Sequence, residues 1–162
     1  MILGRGGAGK STFAARLGAT LALPVIELDK HFWPPDLTPT PKDQWAEIQR
    51  RLTRGERWVI DGDLGPYDVL DVRLQAADTV IVLDFPLWRC AWRALRRSRE
   101  NLAFWRWLLT YRRRSLPPVM AAIAANAAHA EIHVLRNPRA VEQLLTQANR
   151  KPPPDEDPST IP

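Results

Sequence analysis

The chain has 162 residues, of which 45% are hydrophobic, and this composition is typical of one packed domain. The single cysteine, Cys90, excludes an internal disulfide framework, and we expect no membrane-spanning helix because no stretch of about 20 apolar residues occurs. The formal net charge of +5 favours anionic partners such as nucleotides, nucleic acids or acidic membranes. We expect a cytoplasmic protein without a signal peptide, because charged residues come too early in the chain.

The first segment with a clear chemical meaning runs from residue 4 to residue 12 and matches G-x-x-x-x-G-K-[ST], the P-loop. Its glycines allow a tight turn that brings backbone N–H groups onto a polyphosphate, and the following helix adds its positive dipole end. We expect Lys10 to reach the β- and γ-phosphates and the Ser11 hydroxyl to bind Mg²⁺. The predicted ATP-binding residues are Gly4, Gly6, Gly7, Ala8, Gly9, Lys10, Ser11 and Thr12.

The strand expected before this loop is short. Only Met1, Ile2 and Leu3 precede Gly4, whereas strands average about five or six residues. We therefore expect the natural chain to begin a few residues upstream. After the loop, an amphipathic pattern predicts a helix that ends before Pro24.

Short apolar segments then alternate with helical patterns. Four more strands are predicted at 25–28, 58–60, 79–83 and 132–135. Helices are predicted at 41–54, 67–75, 119–128 and 138–148, with two arginine-bearing helices between residues 86 and 116 and a proline-rich loop at 31–41. This alternation predicts an α/β domain with a parallel sheet buried on both faces.

Carboxylates follow three of the predicted strands. Asp29 comes after the second strand, Asp61 with Gly62 after the third, and Asp84 after the fourth. Ligands of parallel sheets bind beyond the carboxyl ends of the strands, so we expect these residues at the same edge as the P-loop.

Each of these residues has a functional and a structural interpretation. We expect Asp29 to accept a hydrogen bond from an acceptor hydroxyl or to act as base, unless it only caps a turn. Asp61 would hold Mg²⁺ through water or orient the acceptor, with an Asx turn as the alternative, and Gly62 would let the backbone approach the acceptor. Asp84 has the profile of a Walker-B metal ligand, and a helix cap is equally consistent with its position.

Nine arginines lie between residues 89 and 114. On a helix, four of them fall within an arc of about 100°: Arg89, Arg93, Arg96 and Arg97. Guanidinium groups bind phosphate oxygens bidentately, so some of these side chains are expected to stabilise charge on a transferring phosphoryl group. The alternative is a solvated basic face.

The chain resembles the P-loop kinases of the adenylate kinase and shikimate kinase group, and most of all the small bacterial proteins known as adenylate-kinase-related or DNA-topology-modulation kinases. Besides the P-loop, the resemblance is carried by residues 24–29 with Trp33 after them, 58–62, 82–90, 111–115 and 134–139. It implies a five-stranded parallel sheet in the order 2-3-1-4-5 with helices on both faces. It also implies a kinase domain over 1–148 with a lid at about 96–112, although Asp63 stands where an amide is expected.

The resemblance also implies roles for single residues. Arg93 and Arg97 would flank the lid, and Arg112 or Arg113 would follow it. Together with the expectations above, this gives the predicted catalytic residues Lys10, Asp29, Arg93, Arg97 and Arg112. The predicted acceptor-binding residues are Asp29, Trp33, Asp61 and Gly62, and the predicted metal ligands are Ser11, Asp61 and Asp84.

These observations favour a kinase that uses ATP and Mg²⁺ to phosphorylate a nucleotide or a hydroxylated metabolite. The mixture of arginine and tryptophan leaves a nucleic-acid-binding or regulatory NTPase as one alternative. A degenerate protein that only binds nucleotide is another. We expect no membrane partner, and the proline-rich, charged tail at 149–162 is predicted to be disordered.

Overall fold

Strands and helices alternate along the chain in the predicted order. The structure is a computed structural model that describes residues 1–34, 38–97 and 102–150. The strands are β1 Ile2–Gly4, β2 Val25–Glu27, β3 Val59–Asp61, β4 Thr79–Leu83 and β5 Glu131–Leu135. The helices are α1 Lys10–Leu21, α2 Leu28–Phe32, α3 Lys42–Leu52, α4 Leu70–Ala76, α5 Leu87–Arg97, α6 Leu102–Arg114, α7 Leu116–Asn126 and α8 Pro138–Arg150, and a 3₁₀ turn covers Gly65–Tyr67.

The strands form one parallel sheet in the order β2-β3-β1-β4-β5, which confirms the predicted order. β1 is central, since Ile2 lies opposite Asp61 of β3 and Ile81 of β4. The whole of β1 is buried, as are the last four residues of β4, and this agrees with strands that are covered on both faces. Although β1 has three residues, pairing on both sides fixes the point from which the P-loop begins.

Each face of the sheet carries its own hydrophobic cluster, because successive residues of a strand point to opposite faces. Leu3 packs on one face with residues of α3, α4 and α7, including Trp45 and Leu74. Ile2 packs on the other face with residues of α1, α5, α6 and α8, including Phe13 and Leu108. The result is the three-layer arrangement that the alternating pattern predicts.

Two predicted boundaries are wrong for clear local reasons. Leu28 begins α2 instead of ending the second strand, so Asp29 lies in the first turn of a helix. Helix α7 begins at Leu116 rather than at Val119, because prolines fit the first turn of a helix, where no N–H donor is needed.

Three other segments differ from the prediction. The helix predicted at 67–75 is a 3₁₀ turn followed by α4. Helix α8 continues to Arg150, so residues 149 and 150 are helical, and the rest of the predicted tail lies outside the described residues. The predicted lid at 96–112 corresponds to the end of α5 and most of α6, and residues 98–101 between them are also outside the described part.

A buried ion pair joins α3, the 3₁₀ turn and α4. Arg73 donates to both carboxylate oxygens of Asp68, at 2.7 and 3.3 Å, and both side chains are almost fully shielded from solvent. The same carboxylate accepts hydrogen bonds from Trp45 Nε1 and Gln49 Nε2, each at 3.3 Å. Because several donors share it, this carboxylate is compensated for the loss of water.

Replacement of Asp68 by alanine should lower the free energy of unfolding by about 3–5 kcal/mol, because it leaves the Arg73 charge buried without a partner. Urea unfolding followed by circular dichroism measures this loss. The matched control is Glu142→Ala, which breaks the exposed Arg16–Glu142 pair and should cost about 1 kcal/mol or less. Equal losses in the two variants would contradict the interpretation.

Candidate functional site

The P-loop follows the central strand and opens α1, which is the context that the motif requires. Gly7 and Gly9 have φ angles of 72° and 94°, in the left-handed region, and Gly9 is the N-cap of α1. A Cβ atom at Gly7 would lie 2.4 Å from the carbonyl oxygen of Cys90, so no larger residue fits there. The loop therefore requires glycine at position 7, and the φ angle at position 9 also favours glycine.

Lys10 is the first residue of α1, and its side chain folds back over the loop. Its Nζ donates to the carbonyl oxygen of Arg5 at 3.4 Å, and the Ala8 amide donates to the same oxygen at 3.3 Å. The first turn of α1 holds no acidic residue, so nothing in that turn neutralises the positive end of the helix dipole. The loop, the ammonium group and the helix end together favour a bound anion.

Asp61 ends β3 and lies beside the start of α1. Its buried carboxylate lies close enough to the Ser11 hydroxyl for the two groups to interact. Burial raises the pKa of Asp61 above its ordinary value, and the Ser11 hydroxyl and the charge of Lys10 oppose this shift without cancelling it. Within the described residues, its Oδ1 has no hydrogen-bond partner. A hydroxyl and a carboxylate with an unused oxygen are ligands that Mg²⁺ accepts, so Ser11 and Asp61 fit the predicted metal site.

Asp29 and Gly62 lie at the same edge of the sheet. Asp29 is exposed in the first turn of α2, and its charge contributes to the raised pKa of Asp61, so the two carboxylates are close enough to interact. A Cβ atom at Gly62 would lie 2.9 Å from Cβ of Leu28, so this glycine allows α2 to pack against the end of β3. The contact of both residues with an acceptor stays a prediction.

Trp33 belongs to an aromatic cluster at the end of α2. Its ring centroid lies 4.7 Å from that of Phe32 and 6.0 Å from that of Tyr67. Phe32 in turn lies 5.1 Å from Trp45 of α3. These contacts give Trp33 a packing role, and its predicted contact with an acceptor is not tested by them.

Asp84 and Arg112 pair with each other, which the sequence analysis missed. Arg112 donates through Nε and Nη2 to the two carboxylate oxygens of Asp84, at 2.9 and 2.8 Å. Arg136 lies 3.9 Å from the same carboxylate. Both oxygens of Asp84 therefore accept hydrogen bonds, and the pair links the end of α6 to the end of β4. This geometry favours an anchoring role over the predicted metal and catalytic roles, which stay predictions.

Arg93 lies directly against the P-loop. Its Nη1 donates to the carbonyl oxygen of Ala8 at 3.2 Å, and a Cβ atom at Gly9 would lie 2.7 Å from the same nitrogen. The guanidinium group is therefore held beside the phosphate-binding backbone, where a positive charge stabilises an anion. Arg97 is the last residue of α5, and its side chain lies outside the described part of the chain.

A small cavity of about 150 Å³ continues from the outer side of the P-loop. Its walls come from α1, the start of α5 and the start of α8, and include Thr12, Arg89 and Pro138. The cavity adjoins Ala8 and Gly9, so it lies directly beside the predicted phosphate-binding loop. Of these walls, the sequence analysis assigned Thr12 to ATP binding and Arg89 to the arginine face, whereas the wall at Pro138 was not assigned, although it lies in the segment 134–139 that carries the resemblance.

A larger cavity, of about 800 Å³, lies at the opposite end of the sheet. It is lined by the amino ends of the strands, among them Val59 and Thr79, and by the carboxyl ends of α1 and α8. Parallel sheets bind ligands at the carboxyl ends of their strands, where the P-loop, Asp61 and Arg93 converge. That edge is therefore the candidate site in spite of its smaller cavity.

Helix α6 covers the inner side of the loop with aromatic rings. A Cβ atom at Gly6 would lie 2.7 Å from the Phe104 ring and 2.9 Å from the Trp107 ring. One turn further along α6, Tyr111 stacks on the guanidinium of Arg5, with Cζ 5.3 Å from the ring centroid. Sequence reasoning treated Arg5 as an unspecified position of the motif and did not predict this contact.

Comparisons with known proteins were made at the level of sequence and of structure. No family model matches the sequence, and no curated protein matches it significantly. The unliganded structure of a sugar kinase from Janibacter sp. HTCC2649 has 20% sequence identity and a TM-score of 0.56, with 91% of this chain and 89% of that chain covered. A gluconokinase from Sinorhizobium meliloti 1021 has 18% identity and a TM-score of 0.54, with 91% and 86% covered. A shikimate kinase from Aquifex aeolicus vf5 has 20% identity and a TM-score of 0.48, with 90% and 92% covered.

The chain has the fold of a P-loop kinase. The sheet order, the position of the loop after β1 and the coverage of both chains agree on this. The predicted fold is thereby confirmed, whereas the chemistry has to be argued from the site, because one fold serves many reactions. None of the helices within residues 1–34, 38–97 and 102–150 combines the length and the apolar character that crossing a membrane requires.

Replacement of Asp61 by asparagine should make the protein more stable at pH 7 and weaken its Mg²⁺-dependent binding of ADP. The folded-state pKa of Asp61 is raised, so the ionised carboxylate opposes folding above the unfolded-state pKa of about 4. Below that pH both states are protonated, so the stability difference should disappear as the pH falls. Urea unfolding at several pH values and calorimetric titration of ADP with and without Mg²⁺ measure the two effects.

The control for this change is Glu56→Gln, which neutralises an exposed carboxylate in a loop and should alter neither property. A less stable Asp61→Asn variant that binds Mg²⁺ and ADP like the wild type would contradict the assignment of Asp61.

Proposed function

We propose that the protein is an ATP-dependent phosphotransferase that moves the γ-phosphoryl group of ATP to a nucleotide or a hydroxylated metabolite, with Mg²⁺ as cofactor. The observation that carries the proposal is the convergence of Lys10, Asp61 and Arg93 on one P-loop at the carboxyl edge of the sheet. A loop that only binds anions needs neither a buried carboxylate nor a second cation. A phosphoryl-transfer site uses both.

On the donor side, the backbone N–H groups of the loop and the start of α1 bind phosphate oxygens. Lys10 would exchange its contact with the Arg5 carbonyl oxygen for the phosphates, which bear a stronger negative charge. Arg93 is already held against the loop by its bond to Ala8, so its charge needs little rearrangement to stabilise the group in transfer. We place the nucleoside at the cavity beside Arg89 and Pro138, because that cavity adjoins the loop.

Ser11 and Asp61 would hold the metal ion. When bound, Mg²⁺ neutralises charge on the phosphate oxygens. Asp29 lies near Asp61 on the side of β2, where it can orient an acceptor hydroxyl or take its proton. Positioning of donor and acceptor at one edge is the main catalytic contribution that such a site makes.

The structurally similar proteins support this proposal, because one is a sugar kinase and the other a gluconokinase, and sugars and gluconate are hydroxylated small molecules. We also propose that the protein is related to the small bacterial adenylate-kinase-related kinases that its sequence resembles. A cytoplasmic location, where ATP is available, is consistent with it.

A nucleic-acid-binding NTPase is a second candidate, favoured by the outer face of α5. Trp88 and Trp92 are 70% and 59% exposed, and the Arg96 guanidinium lies 5.6 Å from the Trp92 ring centroid. Exposed rings beside arginines are suited to stacking on bases and binding phosphates. Binding of single-stranded DNA that weakens steeply with salt, and is lost on Trp88→Ala and Trp92→Ala but kept on Lys10→Ala, would favour this candidate.

Replacement of Lys10 by alanine should lower kcat at least about 100-fold, because it removes a cation that acts on the transferred phosphoryl group. Its thermal unfolding temperature should stay near that of the wild type, since the lysine makes one long hydrogen bond. Release of ADP from ATP and Mg²⁺ is measured across nucleoside monophosphates, nucleosides, sugars and hydroxy acids. Lys42→Ala, an exposed lysine at the start of α3, is the matched control and should keep full activity.

Unchanged turnover in Lys10→Ala would overturn the proposed site. ADP release that no acceptor stimulates would favour the NTPase, and absence of release with intact ADP binding would favour a degenerate nucleotide-binding protein.

A further inference from the structure

Arg5 carries a buried charge that the proposed reaction does not use. Its surface is 1% exposed, and it forms no ion pair with a carboxylate in the part of the chain that the structure describes. The Nε atoms of both Arg5 and Arg73 lack a hydrogen-bond partner among those residues, so the difference between the two arginines lies in the ion pair. The contrast is Arg73, equally buried, which has the bidentate partner Asp68. Among the described residues, the fold therefore provides a carboxylate partner for Arg73 and none for Arg5.

The surroundings of Arg5 are polar on one side. Its guanidinium stacks on the ring of Tyr111, whose hydroxyl donates to Oδ2 of Asp63 at 3.3 Å. Oδ1 of Asp63 accepts from the Gly65 amide at 3.0 Å. The charges of Arg5 and Asp63 shift the pKa of Tyr111 in opposite directions, so both act on the same tyrosine, yet they form no ion pair with each other. The positive group of Arg5 therefore lies over the face of the Tyr111 ring, and the negative group of Asp63 lies at its hydroxyl.

A buried guanidinium without a counter-anion is unfavourable, and a cation–π contact offsets only part of the lost hydration. Guanidinium groups bind carboxylates and phosphates through two parallel N–H···O bonds. We propose that Arg5, supported by the Tyr111 ring, is an oxyanion-binding subsite that takes an anionic group of the acceptor. This inference rests on the proposed kinase function and gives the acceptor a chemical class, a hydroxylated compound with a carboxylate or phosphate group.

The position of Arg5 assigns the anion to the acceptor rather than to the donor. The walls of the donor cavity contain Arg89 and Arg93 of α5, and Arg5 is not among them. The Arg5 guanidinium lies over the Tyr111 ring of α6, and Tyr111 in turn contacts Asp63 after β3. The charge of Arg5 also acts on the Cys90 thiol of α5, which lies behind the loop. The side of Asp63 is the one on which Asp61 and Gly62 lie, so an acceptor bound there would have its hydroxyl near the carboxylates and its anionic group near Arg5.

Access to this subsite involves α6. The rings of Phe104 and Trp107 lie over Gly6, directly beside Arg5 in the loop. Because Arg5 is almost fully buried, an anion can reach its guanidinium only when neighbouring side chains move. The long hydrogen bond of 3.3 Å between Tyr111 and Asp63 is a weak restraint on that movement.

The first experiment compares Arg5→Met with the wild type by thermal unfolding, with Arg51→Met, an exposed arginine of α3, as the matched control. Without ligand, Arg5→Met should be as stable as the wild type or more stable, because an uncompensated charge is removed. Sulfate added to protein loaded with Mg²⁺ and ADP should raise the unfolding temperature of the wild type and of Arg51→Met but not of Arg5→Met. A purely structural Arg5 would give a less stable variant with the same response to sulfate.

The second experiment distinguishes acceptor from donor as the source of the anion. Pairs of acceptors that differ only in the anionic group, gluconate against sorbitol and AMP against adenosine, are assayed for ADP release. At least one anionic member should be preferred by the wild type, and Arg5→Met should reduce that preference roughly 10- to 100-fold, as expected for a charge-assisted hydrogen bond. Calorimetric affinities for ADP and for a non-hydrolysable ATP analogue should not change.

Weaker binding of the ATP analogue alone in Arg5→Met would assign the anion to the donor and overturn the proposal. So would an unchanged preference for the anionic acceptor together with an unchanged sulfate response. If Arg5→Met does not fold, Arg5→Lys replaces it, since it keeps the charge and loses the two parallel bonds. If ADP does not bind, the kinase proposal fails, and the sulfate response of the ligand-free protein still decides the role of Arg5.

Discussion

The absence of side chains at three glycines of the P-loop is the constraint on which the rest of the site depends. At Gly7 the space of a Cβ atom is taken by the carbonyl oxygen of Cys90, and at Gly9 by the Arg93 guanidinium. At Gly6 it is taken by rings of α6. The motif therefore does more than shape an anion cradle. It lets α5 and α6 approach the loop closely enough that Arg93 becomes part of the phosphate site.

Helix α5, which approaches the loop closely, has three distinct faces. Cys90 and Ala94 are buried against the core, Arg89 and Arg93 lie toward the donor cavity, and Trp88 and Trp92 face solvent. Residues 100° apart on a helix make this division possible, and the spacing of the arginines predicted from sequence that Arg89 and Arg93 share a face. That Trp88 and Trp92 face solvent was not predicted, because their spacing is equally typical of a face that packs on the core. Which arginines reach the loop was not predictable, because that depends on how α5 sits on Gly7 and Gly9.

The features that sequence could predict are those fixed by local pattern. The P-loop and the five strands follow from residue spacing, whereas the strand order was implied by the resemblance to known kinases. The features that it missed are pairings across long sequence distance. Asp84 and Arg112 are 28 positions apart, and each alone has an ordinary interpretation as a cap or a catalytic group. Only the meeting of α6 with the end of β4 shows that they satisfy each other.

The buried charged groups of this molecule differ in whether the fold gives them an ion-pair partner. Away from the loop, the Asp68 carboxylate is surrounded by donors, as a group that serves only the fold should be. At the loop, Asp61 keeps an oxygen without a partner and Arg5 keeps a nitrogen without one. These two unpartnered groups oppose folding. Asp61 lies where a metal ion would supply the missing partner, and Arg5 lies where an anion would do so. An unpartnered atom alone does not mark a site, since Gln49 Oε1 and Arg73 Nε beside Asp68 also lack partners. What distinguishes Asp61 and Arg5 is that each is a buried charged group beside the P-loop with no ion pair among the described residues, and a charged ligand would supply that partner.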